Sequence, residues 1–135
     1  MTLTAREILL AGTLLHSAAL IAAVLYLRRT SHPAQRVAAC LLAAGFLAQS
    51  AGLLQRGGET HLFPLGNTFE LLQMFAWGVV TLDGFLRFTF NLRLPVALTA
   101  GLAALLGGAS FLNPAWDSPA TPGFSGNPWI GFHVL

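Results

Sequence analysis

The sequence predicts an all-α, polytopic integral membrane protein with four transmembrane helices and the start of a fifth. Composition is the first reason. Charged residues make up 9% of the 135-residue chain and hydrophobic ones 55%, whereas a soluble domain covers its surface with about 25% charged residues. The second reason is run length. Residues 8–27, 37–55 and 94–113 carry no formal charge, and each run is close to the ~20 residues that cross a ~30 Å hydrocarbon core as a helix. A fourth run, 68–86, holds Glu70 near its start and Asp83 near its end. Backbone groups in lipid must be satisfied internally, so only helices and closed barrels span. The sequence lacks the ten-residue alternation of barrel strands, which leaves helices.

The first helix is expected over residues 6–28. It is too long for a cleaved leader, only Arg6 precedes it, Glu7 offsets that charge, and no small-residue cleavage site follows before Arg28 and Arg29. His16 falls mid-membrane between Leu15 and Ser17. An imidazole there is costly and normally partnered, either by an interhelical hydrogen bond or by haem iron. The loop RRTSHPAQR follows, with His32 as a solvated loop residue beside Pro33. The second helix is expected over 36–56. Its Cys40 is the single cysteine, so it has no disulfide partner and reads as a small core residue.

The third helix is expected over 67–87 and the fourth over 94–113, joined by the short loop FTFNL between Arg87 and Arg93. Short connections predict antiparallel neighbours. The stretch NPAWDSPATPGFSGNP is rich in proline, glycine and serine and reads as an extended connection. After it, WIGFHVL opens another helix at Trp129 and is too short to span. Residues 1–135 therefore read as a single transmembrane domain, the N-terminal part of a larger one.

The pI near 9.5 comes from seven arginines and no lysine. They form no patch of the kind that binds nucleic acid. Arg28, Arg29, Arg36, Arg87 and Arg93 gather at two connections, which the positive-inside rule places in the cytoplasm. The N-terminus, the loop 56–67 and the loop 114–128 then lie outside. In a bacterium this is an inner-membrane protein with its outer loops in the periplasm.

The most polar stretch is RGGETHLFPLGNTFELLQMFAW, residues 56–77. Asn67 followed by Glu70 ahead of an apolar run has the spacing of a capping box at a helix start. Asn67, Glu70, Met74 and Trp77 also recur at i, i+3, i+7 and i+10 and share one helix face. A carboxylate in the first turn of a membrane helix is costly unless it faces protein or a wet cavity. Trp77 lies some ten residues deeper, below the headgroup belt. Glu70 is expected to face inward, towards the fourth helix or further chain, with a pocket along this stripe. No histidine pair has the i, i+4 spacing of a helical metal site, and no Cys/His cluster suggests zinc.

This stretch resembles the cytochrome c assembly family, of the CcsA/ResC type in system II cytochrome c biogenesis. Those proteins carry an arginine, seven residues, then Pro-x-x-Asn-x-x-Glu, with tryptophan seven residues after the glutamate. Arg56, Pro64, Asn67, Glu70 and Trp77 stand in that register. The family opens its next outer-side helix with Trp-x-x-x-His-Val, matched by Trp129, His133 and Val134. The resemblance covers residues 56–135, while the first two helices match in character. It departs at His61, which stands three residues before Pro64 rather than two. Trp116-Asp117 precedes the Trp-x-x-x-His helix, so it is not the family's tryptophan-rich haem segment, which lies downstream.

The resemblance implies haem bound at the outer face, with His133 as an external axial ligand beside Trp129, for covalent attachment to the Cys-x-x-Cys-His motif of apocytochrome c. It implies a partner membrane subunit of the CcsB/ResB type in a holocytochrome c synthase complex. Other readings are a HemX-like relative tied to haem synthesis, or a transporter or structural membrane subunit without haem, in which Glu70 would be an ion or proton site.

Overall fold

The computed structural model describes residues 3–29, 32–60 and 64–118. It is all-helical, with α1 (Ala5–Arg29), α2 (His32–Thr60), α3 (Thr68–Phe90), α4 (Val96–Ser110) and a 3-10 turn at Pro114–Asp117. His61, Trp129, His133 and the expected start of a fifth helix lie outside the described residues.

Each helix begins where the local chemistry allows. At α1, the Thr4 backbone N–H donates to Glu7 Oε2 at 2.8 Å and the Glu7 N–H donates back to Thr4 Oγ1 at 3.3 Å. That reciprocal cap satisfies two first-turn donors. Glu7 is therefore a capping residue, while Arg6 pairs with Asp117. α2 starts four residues earlier than its sequence expectation, so His32 opens the helix instead of lying in a loop, and it runs through Gly57 and Gly58 to Thr60. α3 is capped by Asn67 in extended backbone and ends at Asn91 in the left-handed region, φ 53°. The Asn91 and Leu92 N–H groups both close on Leu86 O.

Three helices, α1 to α3, are long and apolar enough to cross a membrane. α4 is not of that length. It has 15 residues, about 22 Å at 1.5 Å per residue. Pro95 sets its start, and its end tightens where Ser110 Oγ donates to Gly107 O at 2.7 Å and Leu112 N–H to Ala109 O. The 20-residue run read from the sequence thus contains a shorter helix.

α1 packs most extensively on α2 and on α4, α3 packs on α4, and the contact of α2 with α3 is sparser. Small residues set the closest approach, as is usual where helices meet in lipid. A Cβ at Gly12 would lie 3.1 Å from the Gln49 backbone nitrogen, and one at Gly52 would lie 2.7 Å from Leu9 Cγ. Two apolar clusters fill the interior. Leu9, Leu53 and Phe69 pack with Met74, Trp77, Phe111 and Trp116 at the end holding the α1 N-terminus; Ala19, Leu42, Val80, Ala100 and Ala103 pack further along. Large apolar side chains such as Leu14, Leu47, Phe75 and Leu105 face outward, as a lipid-facing surface requires. Cys40 is exposed on α2 and so is not the core residue its type suggests, because the α2 stripe turned to α1 runs through Ala38, Leu42 and Gly45 instead.

Candidate functional site: a four-charge junction at one end of the bundle

The polar stretch forms a junction with residues from α1 and from the 3-10 turn. Arg56, near the end of α2, donates through Nε to Glu70 Oε1 in the first turn of α3 at 2.6 Å, and through Nη2 to Asp117 Oδ1. Arg6, in the first turn of α1, donates to Asp117 Oδ2 at 2.8 Å. Two guanidiniums and two carboxylates thus balance, joining α1, α2, α3 and the 3-10 turn after α4. The Glu70 side chain is 6% exposed and that of Arg56 17%. Removing such ions from water costs several kcal/mol each unless they are paired and hydrogen-bonded, and here they are both.

Glu70 is held from three sides. Its Oε2 accepts from the Gly66 N–H at 2.7 Å, and its own N–H donates to Asn67 Oδ1 at 2.8 Å. Asn67 Nδ2 donates in turn to Ser118 O at 2.9 Å. The capping spacing read from the sequence is realised with one change: the carboxylate reaches Gly66 rather than the N–H of Asn67. Aromatic rings line the junction. Phe69 and Phe111 meet edge to face at 5.2 Å, with the Arg56 guanidinium 5.2 Å from the Phe69 centroid and that of Arg6 5.6 Å from both rings, within cation–π range. Pro64 is buried beside the α3 start.

Glu70 faces inward as expected, but its partner is Arg56 on α2. Trp77, on the same stripe, stacks on Phe46 at 5.8 Å and donates Nε1–H to Ser50 Oγ at 2.9 Å. Both partners belong to α2. Most of the buried residues of α3 lie one position away, through Phe69, Gln73, Ala76, Val80 and Asp83, with Glu70 buried beside them.

Below the junction a polar seam ties three helices. Gln49 Nε2 on α2 donates to Gln73 Oε1 on α3 at 2.7 Å, and Gln73 Nε2 donates to Ser110 Oγ at the end of α4 at 2.9 Å. One turn deeper on α1, His16 is fully buried, and among the described residues neither of its ring nitrogens has a hydrogen-bond partner. The interhelical hydrogen bond expected of it is not made. The reason is steric: a Cβ at Gly45 would fall 2.5 Å from His16 Cδ2 and 2.7 Å from Nε2, so that edge of the ring lies against α2 backbone already committed to its helix. The same closeness leaves no space for a porphyrin on Nε2. Haem ligation through Nε2 does not fit this packing. Among the described residues no group of three His, Cys, Asp or Glu side chains could hold a metal ion.

Asp83, the other acidic residue of α3, is buried and bonds Arg87 one turn on, at 3.1 Å. Sequence reasoning missed Arg6, Asp117, Gln49 and Gln73. One signal pointed to the first two: the proposed outer end holds Glu7, Glu59, Glu70 and Asp117 against Arg6 and Arg56, so each of those arginines had carboxylates to meet. No family model, curated protein or solved structure matches this chain.

Proposed function

We propose that this protein is a haem-handling assembly factor of a bacterial inner membrane, holding haem at the outer face of the bundle for attachment to apocytochrome c. One observation supports it most. Arg56, Asn67 and Glu70, three of the five residues of the first motif that carries the resemblance, act as one unit at a single end of the bundle. Through Asn67 and Arg56 that unit also grips Ser118 and Asp117, fifteen and sixteen residues before His133. On this reading the junction is a platform. It anchors Asp117 and Ser118, the described residues nearest in sequence to Trp129 and His133, as the rigid base an axial imidazole needs.

His133 is the proposed iron ligand and Trp129, four residues before it, the aromatic wall. Haem itself supplies the vinyl groups that become thioethers; the protein supplies ligation, orientation and redox tuning. The partners proposed are apocytochrome c and a membrane subunit of the CcsB/ResB type. A HemX-like role in haem synthesis uses the same platform. The pairing of Glu70 with Arg56 and the Gly66 N–H argues against an ion or proton site there, and among the non-haem readings it favours a structural subunit.

The test is the complete protein purified with and without His133→Gly, followed by haem content and visible spectra. The reading expects loss of haem that added imidazole restores. Unchanged occupancy and spectrum would remove His133 from the iron.

A further inference from the structure

The two ends of the bundle treat their arginines differently. At the junction end, Arg6 and Arg56 are both matched to carboxylates inside the protein. The opposite end carries the α1–α2 and α3–α4 connections, and by sequence it holds five arginines, Arg28, Arg29, Arg36, Arg87 and Arg93, against one carboxylate, Asp83. Asp83 is spent on Arg87. Arg28, Arg36 and Arg93 are exposed, and no carboxylate pairs with them among the described residues. The imbalance belongs to the fold, because antiparallel helices bring both connections to the same end.

Apolar side chains stand among these charges. Leu27 and Val37 flank Arg28 and Arg36, and Phe88, Phe90 and Leu92 lie between Arg87 and Arg93, with Phe88 91% exposed. Phe90 is braced edge to face on Phe85 at 5.9 Å, and the left-handed Asn91 turns the chain there. Guanidiniums interleaved with outward aromatic and aliphatic groups at the end of membrane-length helices match one surface: phosphate headgroups above acyl chains. A soluble polyanion would satisfy the arginines and leave the phenylalanines in water.

We infer that this end of the bundle binds the headgroups of anionic phospholipids, through Arg28, Arg36 and Arg93, with Phe88 and Phe90 set in the acyl region beneath them. Guanidiniums take a phosphate in a fork that an ammonium lacks. Zwitterionic lipid offers the same phosphate beside its own cation, so the preference is for net-negative headgroups.

The experiment reconstitutes the full chain in phosphatidylcholine bilayers containing a trace of spin-labelled phosphatidylglycerol or spin-labelled phosphatidylcholine. The motionally restricted fraction of each label is read by electron paramagnetic resonance. The unaltered chain should restrict phosphatidylglycerol in preference. The preference should fall by up to about fivefold for each arginine removed in R28Q, R36Q and R93Q, and persist in the corresponding lysine variants at a reduced level. Helicity by circular dichroism checks that the variants fold. Independently of any variant, about 1 M salt shortens the screening length to about 3 Å and should erase the preference. Equal restriction of the two labels, a preference that survives the salt, or an undiminished preference in the folded triple glutamine variant would overturn the inference. Displacement of the labelled lipid by millimolar inorganic phosphate would also overturn it, by assigning the site to a soluble anion.

Discussion

Arg56 and Glu70 lie fourteen residues apart on different helices, and their side chains meet at 2.6 Å where neither is more than 17% exposed. The contact closes the α2–α3 connection as a clasp. Sequential helices usually owe their neighbourhood to a short loop, but here α2 and α3 share comparatively little surface, so the pair carries much of the burden of holding their ends together.

Glu70→Gln keeps the Asn67 cap, because that bond uses the Glu70 backbone N–H. It removes the charge opposite Arg56. Breaking a well-buried pair by changing one partner costs about 3–5 kcal/mol, and with Arg56 17% exposed and Asp117 still beside it the expected loss is about 1–3 kcal/mol. Denaturant unfolding in detergent measures it. Arg56→Gln combined with Glu70→Gln should cost clearly less than the sum of the two. Strict additivity would mean the pair contributes nothing of its own.

Asp117→Asn disconnects the 3-10 turn from two arginines at once. The main effect should be local: faster amide exchange at residues 115–118, with the helix cores as slow as before. Arg6→Gln should produce part of the same acceleration, since its guanidinium reaches only one of the two carboxylate oxygens. Exchange at 115–118 that does not change in Asp117→Asn would show that the turn is held by Trp116 packing alone.

How much of this was legible beforehand depends on the range of the interaction. The membrane class and the α3 start follow from local rules, since an apolar run of twenty residues and an Asn-x-x-Glu spacing each act within a few turns. Glu70 had to face inward for the same reason. The identity of its partner did not follow, because Arg56 and Asp117 meet across 61 residues and Arg6 and Asp117 across 111. No periodicity encodes such a contact. Gln49 and Gln73 escaped notice differently: uncharged amides do not interrupt a run delimited by formal charge, yet they tie α2 to α3. The shortness of α4 was hidden by Phe111 and Leu112, which extend the apolar run past the helix end.

Orientation rests on arginine placement and has a direct test. A phosphatase fused after Ser118 should be active, and one fused in the α3–α4 connection at Asn91 inactive, because arginine-rich connections stay in the cytoplasm. The reverse pattern would invert the proposed site, putting the Arg56–Glu70 junction and His133 on the cytoplasmic side.

The last prediction concerns His16, where fold and proposed function separate most cleanly. The ring is fully buried with both nitrogens unpartnered among the described residues. An unsatisfied buried polar group costs about 1–3 kcal/mol relative to an apolar group of similar shape. His16→Met should therefore leave stability unchanged or raise it, which is the opposite of the usual result for a buried side chain. Gly45→Ala should do the reverse. Its new Cβ would fall 2.5 Å from His16 Cδ2, and overpacking of that kind costs about 1–3 kcal/mol. Joining Gly45→Ala to His16→Ala should recover the part of the loss that comes from the ring, leaving the tight 3.1 Å approach of the new Cβ to the Gly12 carbonyl oxygen. Haem content gives the second readout. On the proposed reading the iron ligand is His133, and the packing of Gly45 against Nε2 of His16 leaves no room for a porphyrin on that nitrogen, so the complete protein carrying His16→Met should retain its haem and its visible spectrum. If His16→Met both destabilised the bundle and emptied it of haem, α1 and α2 would have to part around a bound porphyrin in the working protein, and the closely packed interface at Gly12 and Gly45 would be its haem-free state.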